Sequence, residues 1–167
     1  MESQNRIRDL VLESIRNLSD EEINVVVEEE TWSIAQVLEH LYIMEVNVTR
    51  QIELALQQDA FDKPGTFPLH VIADRTKKIS APEFLIPSND FHTVDDLKQK
   101  LASSRASLEK IIGQISEDEL NRITFAHRRF GVLTLKQWVE LVGYHEQRHI
   151  DQIEEIKVAL KKATSFD

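Results

Sequence analysis

Apolar side chains recur at three-and-four spacing in four long stretches of the chain, the period of an amphipathic helix. Over residues 4–18 the stripe is Ile7, Leu10, Val11, Ile15 and Leu18. Ile34, Val37, Leu38, Leu41, Met44, Val48, Ile52 and Leu56 mark a second helix that runs to about residue 58. Leu97, Leu101, Leu108, Ile111, Ile112 and Ile115 mark a third. Leu135, Trp138, Val142, His145, His149, Ile153, Ile156 and Leu160 mark a fourth, which ends near residue 162.

The starts of these helices carry their own signals. In a capping box, a Ser or Thr side chain and a Glu or Gln three residues later satisfy each other's free backbone N–H groups. Ser33 with Gln36 opens the second helix, Thr93 with Asp96 starts the third, and Thr134 with Gln137 opens the fourth. Ser19 with Glu22 predicts a short helix or turn, and the β-branched run Val25, Val26, Val27 suits extended chain. Pro64, Pro68, Pro82 and Pro87 all fall within residues 59–92, which therefore read as a long crossover.

The same order occurs twice. Residues 18–24 (LSDEEIN) resemble residues 115–121 (ISEDELN), and residues 33–39 (SIAQVLE) resemble residues 134–140 (TLKQWVE). A duplicated helical hairpin explains this; the plainer account is that long capped helices look alike. Each amphipathic helix needs a partner face, and a shared core supplies it. The expected fold is all-α: a four-helix bundle with a long crossover between helices 2 and 3, forming a single domain over residues 1–167.

Composition narrows the chemistry. A hydrophobic share of 41% and a charged share of 29% are those of an ordinary globular domain. The absence of cysteine removes disulfides, thiolate ligands and a cysteine nucleophile. A net charge of −9, with basic clusters as small as Lys77-Lys78 and Arg128-Arg129, argues against nucleic acid as a partner. No apolar run approaches the ~18 residues of a membrane span. The first residues lack the apolar stretch of a secretory signal, so the cytoplasm is the expected location. No Gly-rich phosphate loop and no Ser–His–acid order stands out, and Ser33 reads as a helix cap.

Two histidines interrupt the apolar stripe of the fourth helix. His145 and His149 stand at i and i+4, one turn apart on one face, where the pattern calls for Leu or Val. That spacing offers two imidazoles to one ion. A lone histidine on such a stripe is usually a hydrogen-bonded core residue. Two in one layer double the number of buried ring nitrogens that need partners, and a metal removes the problem. His40 flanks the inward stripe of the second helix and is the candidate third ligand. His40 falls opposite Leu141 in the hairpin alignment and His145 opposite Met44, so the histidines do not follow the repeat. Other polar residues carry weaker signals. His127 precedes the fourth helix and could touch a substrate; His70 and His92 read as surface residues. Arg75, Lys77 and Lys78 form a small basic patch. Glu39 and Glu146 adjoin the histidines in sequence but point about 100° away on their helices, and Glu146, Gln147 and Arg148 are assigned to the outer face. Trp32 and Trp138 read as packing residues.

The runs WSIAQVLEHL (residues 32–41), FGVLTL (130–135) and HEQRHIDQI (145–153) together resemble the DinB-like superfamily, closest to its YfiT-like branch. The resemblance covers nearly the whole chain. It implies a four-helix bundle with one divalent metal held by three histidines, which fall on His40, His145 and His149. Three neutral nitrogens leave an open coordination position, as in catalytic sites, and zinc or nickel are the expected ions. Characterised members of the resembled family include transferases and isomerases that use low-molecular-weight thiols such as bacillithiol or mycothiol. The expectation is a divalent-metal-binding enzyme that transfers such a thiol to small electrophilic substrates. A metal-dependent hydrolase is the alternative, and a non-catalytic metal- or ligand-binding bundle is the third reading. Resembled proteins often form dimers, so a homodimer belongs to the same expectation. No general acid or base is assigned.

Overall fold

The computed structural model describes residues 1–76 and 79–164. Four long helices dominate: α1 (Glu2–Ser14), α3 (Ile34–Gln58), α4 (Val94–Ile112) and α6 (Leu135–Thr164). Helix α3 packs on α4, α1 on α6, and α3 on α6. Two short helices, α2 (Asp20–Asn24) and α5 (Glu117–Arg122), precede α3 and α6. The four-helix bundle and its long crossover between α3 and α4 are therefore as expected. Within the crossover, two 3-10 turns (Leu69–Ala73 and Glu83–Leu85) follow Pro68 and Pro82, and the first packs on α6. Among the described residues no helix is long and apolar enough to cross a membrane.

The capping boxes form as their spacing requires. Ser19, Ser33 and Ser116 each accept from the N–H three residues on, and Glu22, Gln36 and Glu119 return the bond. Thr134 and Gln137 do the same at α6. Each such cap contributes about 1 kcal/mol. Both halves thus run long helix, capped short helix, capped long helix.

The halves differ between their last two helices. Residues 25–33 link α2 to α3 without a strand, through a turn at Glu29 and Glu30 closed by the Thr31 N–H on the Glu28 carbonyl, with Val25 and Val26 exposed. The equivalent link before α6 is a two-stranded hairpin, β1 (Thr124–His127) antiparallel to β2 (Gly131–Thr134), with Thr124 opposite Thr134 and His127 opposite Gly131. This small hairpin is an addition to the expected all-α architecture. Its turn closes through Gly131 at φ 79°, a conformation that suits glycine because a Cβ is disfavoured there.

The core falls into two apolar clusters. One joins Val11, Ile15, Ile34, Val37, Leu38, Leu41, Leu97, Leu101, Ile153 and Ile156. The other joins Met44, Val48, Ile52, Leu108, Leu133, Leu135, Trp138 and Val142. Every long helix also contributes buried polar residues: Arg8 on α1, Glu45 on α3, Ser104 and Arg105 on α4, Glu146 and His149 on α6. On α1 the expected stripe holds at Val11 and Ile15 but not at Leu10, and the buried face also takes in polar residues. Gln4, Arg8 and Val11 are buried, Leu10 is 54% exposed, and the helix ends at Ser14. Glu146 and Arg148, assigned to the outer face from sequence, are buried as well. Gly143 lets α1 approach: a Cβ there would lie 3.3 Å from Ile7 Cδ1 and 3.4 Å from Gln4 Cγ.

Candidate metal centre

Two polar clusters lie within the bundle. At the bundle axis, Arg8 and Arg105 clamp Glu45 and Glu146. Arg8 Nε donates to Glu146 at 2.7 Å and its Nη2 to Glu45 at 2.9 Å, while its Nη1 donates to the Leu101 carbonyl at 2.6 Å. Arg105 Nε donates to Glu45 at 2.6 Å, and Nη2 reaches both Glu146 oxygens at 3.0 and 3.1 Å. Ser104 donates to Glu45 at 2.5 Å. Two cations face two anions, and the carboxylate oxygens are multiply paired. Burial pushes the Glu146 carboxyl above the ordinary carboxylate range, with Arg8 and Arg105 opposing. Burial also disfavours the charge on Arg105, but Glu146 and Glu45 more than offset it and its pKa ends above the ordinary value.

The second is the histidine cluster. One turn of α6 places His145 and His149 on the face that meets α3, and His40 comes from the opposing turn of α3. The ring centroids lie 5.0 Å (His40–His145), 4.9 Å (His40–His149) and 4.5 Å (His145–His149) apart. Nε2 of His145 is 3.2 Å from Nε2 of His40 and 3.2 Å from Nε2 of His149. One ligand atom from each ring lies within 4.8 Å of the others. The structure thus brings together the three residues singled out from sequence.

The far side of each ring decides what the near side offers. His40 Nδ1 donates to the Leu85 carbonyl at 2.7 Å, and His149 Nδ1 donates to Gln152 Oε1 at 2.8 Å. A neutral imidazole carries one proton, so both Nε2 atoms present lone pairs to His145 Nε2. A single N–H there serves one of them and leaves the other facing nitrogen. His145 Nδ1 is itself buried without a hydrogen-bond partner among the described residues. Protonation is no remedy in this setting. His149 is pushed down to about 3 by burial and then by the neighbouring His40. Burial, then His149 and His40, hold His145 well below its ordinary value, and burial lowers His40 despite the Leu85 bond. Convergent neutral imidazoles with inward lone pairs fit a divalent cation, and borderline metals such as zinc prefer such a donor set.

The crossover supports this cluster more than its sequence suggested. Besides the Leu85 carbonyl, it contributes Ser88, whose N–H and hydroxyl donate to Glu39 at 2.8 and 3.0 Å. Burial pushes the Glu39 carboxyl up, but those two Ser88 bonds and His92 bring it below the ordinary range. His92, expected at the surface, is buried with Nε2 3.2 Å from Glu39. Arg148 reaches back to the carbonyls of Ile72 and Asp74. Arg75 bonds Gln152 and Glu155. Lys77 and Lys78 lie outside the described residues, and His70 is exposed.

His127 ends β1 and is half-buried. Its ring stacks on Phe130 at 4.3 Å and tilts against Trp138 at 5.0 Å. Its Nδ1 accepts from the N–H groups of Arg129 and Phe130, and burial, then Arg129, pushes it down to about 4. Trp138 packs on Phe125 and donates to its carbonyl at 3.2 Å. Trp32 sets its ring 4.8 Å from that of His40. The residues missed from sequence are Arg8, Glu45, Arg105, Gln152 and the Leu85 carbonyl. Gln152 was legible as the i+3 neighbour of His149, whereas a backbone carbonyl leaves no mark on the sequence.

A helical bundle with three imidazoles converging between two of its long helices defines the class. The chain belongs to the DinB superfamily, whose sequence profile matches residues 5–153. It is 32% identical over 149 residues to YuaE of Bacillus subtilis, covering 89% of this chain and 91% of that protein. It is 24% identical over 150 residues to a protein of Oceanobacillus iheyensis named "Putative metal-dependent hydrolase OB0413", covering 89% and 76%. Two solved structures share the fold. TT2238, described as a four-helix bundle protein, matches with a TM-score of 0.62 at 19% identity, over 92% of this chain and 94% of that one. A conserved protein from Enterococcus faecalis matches with a TM-score of 0.67 at 16% identity, over 96% and 94%.

Proposed function

We propose that His40, His145 and His149 hold one divalent metal ion, zinc or nickel, through their Nε2 atoms, and that the loaded protein is an enzyme acting on small electrophiles. The observation that carries this reading is the convergence of three neutral Nε2 atoms whose opposite nitrogens are committed to, or buried away from, other partners. Such an ion supplies Lewis acidity that makes a small nucleophile, a thiol or a water, reactive near neutral pH. The chain's own residues do the rest. Leu85 and Gln152 keep the Nδ1 protons of His40 and His149 outward, so the lone pairs stay inward. Trp32 packs against His40.

Transfer of a low-molecular-weight thiol such as bacillithiol is the first reading, supported by the likeness to the YfiT-like branch. Hydrolysis is the second, favoured by the name of the Oceanobacillus relative. A cytoplasmic location and a homodimer belong to the same proposal.

Elemental analysis of protein purified without a metal-affinity tag tests the site. About one equivalent of metal in the wild type, absent from a folded His145→Ala/His149→Ala variant, is the expected result. A wild type that holds no metal and takes none up on titration overturns it. Conjugation of a generic aryl halide to a thiol panel, beside hydrolysis of ester probes without thiol, separates the two chemistries.

A further inference from the structure

We propose that Arg75 is a positioning residue: through Gln152 it dictates which nitrogen of His149 carries the proton, and so which nitrogen is free for a metal. The inference rests on the metal reading above for its functional meaning, but not for its geometry.

Gln152 Oε1 is a shared acceptor. It takes the His149 Nδ1–H at 2.8 Å and an Nη1–H of Arg75 at 3.2 Å. A glutamine amide can ordinarily turn over and offer its NH2 in place of its oxygen. Here it cannot do so without loss, because a guanidinium has five N–H donors and no acceptor. An amide turned the other way would set N–H groups against N–H groups. Arg75 is held in turn by Glu155, which accepts from Nε at 3.1 Å and from Nη2 at 2.7 Å, a fork-on-fork pair that fixes the guanidinium plane. The order of control runs inward: Glu155 orients Arg75, Arg75 orients the Gln152 amide, and the amide oxygen holds the proton on Nδ1. Nε2 is left as the lone pair facing His145.

The relay gives the crossover a task. Arg75 follows the 3-10 turn Leu69–Ala73 that packs on α6. The far nitrogen of His40 is likewise held by the crossover, directly through the Leu85 carbonyl. Both outer imidazoles therefore owe their tautomer to a segment that contributes no ligand atom.

The test uses the full chain. Nitrogen-15 NMR of the metal-free protein at neutral pH reads the His149 tautomer, and zinc competition against a chromophoric chelator reads affinity. The wild type is expected to carry the proton on Nδ1. In Arg75→Gln the neighbour can accept as well as donate, so the amide turns over in part. The Nε2–H tautomer then appears, and zinc binding weakens about tenfold. Arg75→Lys, which also only donates, keeps the wild-type signature. Gln152→Glu in the Arg75→Gln background restores it, since a carboxylate accepts whatever stands at residue 75. A purely structural role for Arg75 predicts no such rescue. An unchanged His149 signature in Arg75→Gln, or no rescue by Gln152→Glu, overturns the proposal. Tautomer changes as expected in a protein that takes up no zinc would sustain the relay and sink the metal reading alone.

Discussion

His145 and Glu146 are neighbours in sequence, yet they belong to clusters of opposite character. Glu146 enters a network in which two guanidiniums meet two carboxylates, with Ser104 and the Leu101 carbonyl taking up further bonding capacity. His145 enters a cluster in which nitrogen faces nitrogen on one side and its other nitrogen has no hydrogen-bond partner among the described residues. The first is complete as a fold element. The second makes sense when something binds to it. A buried polar group with its partners supplied marks architecture, and one with lone pairs left over marks a site.

The difference is open to attack by mutation, and the largest effect belongs to the saturated network. Arg105→Met leaves Glu45 and Glu146 with one cation between them in a buried setting. A loss of about 3–5 kcal/mol is expected, read as a lower urea midpoint at unchanged slope. A loss under about 1 kcal/mol would show that water enters the network and the contrast is false.

Metal is expected to stabilise the histidine cluster and to leave the Arg–Glu network alone. Zinc at a hundred times its dissociation constant raises stability by about 2.7 kcal/mol. A chelator reverses the gain, and the His145→Ala/His149→Ala variant shows none. Thermal unfolding with and without zinc checks this; equal shifts in wild type and variant place binding elsewhere.

Acid acts on the same cluster, and its effect accumulates with each unit of pH. His149 is held to about 3, and His40 and His145 are also lowered, against about 6.5 for an unfolded histidine. The unfolded chain thus binds protons that the fold refuses. Stability of the metal-free protein is full above about 6.5 and falls as pH drops below it, by up to about 1.4 kcal/mol per unit for each such group. For His149 the decline continues to about 3. Urea titrations across that window should show the slope, and the His145→Ala/His149→Ala variant should lose most of it.

The smallest effect has an unusual sign. His145→Leu removes a buried nitrogen that has no partner among the described residues and relieves the contact between Nε2 atoms. The metal-free variant is expected to match the wild type or to gain about 1 kcal/mol, while losing its metal. A marked loss of metal-free stability would move His145 from the site to the architecture.

Much of this was legible beforehand, for reasons tied to particular residues. Helix positions followed from the apolar period and from caps such as Ser33–Gln36, because both act within a few residues along the chain. His145 and His149 were visible as a pair because one helix carries both. Arg8 was not, since the apolar stripe of α1 accounted for its inward face and nothing in the period marks a buried cation beside Val11. The β-hairpin at residues 124–134 also escaped, hidden in a segment too short for any period to declare itself.

Local order alone set the helices, their caps, the lack of cysteine chemistry and the two histidines one turn apart on α6. Tertiary packing decided that His40 comes within 3.2 Å of His145. It also sent Glu146 to the bundle axis and made the crossover the keeper of the Nδ1 protons. Those outcomes rest on contacts between residues far apart in sequence, such as Arg8 with Glu146 and His40 with Leu85, and a one-dimensional period carries no information about which helix face meets which.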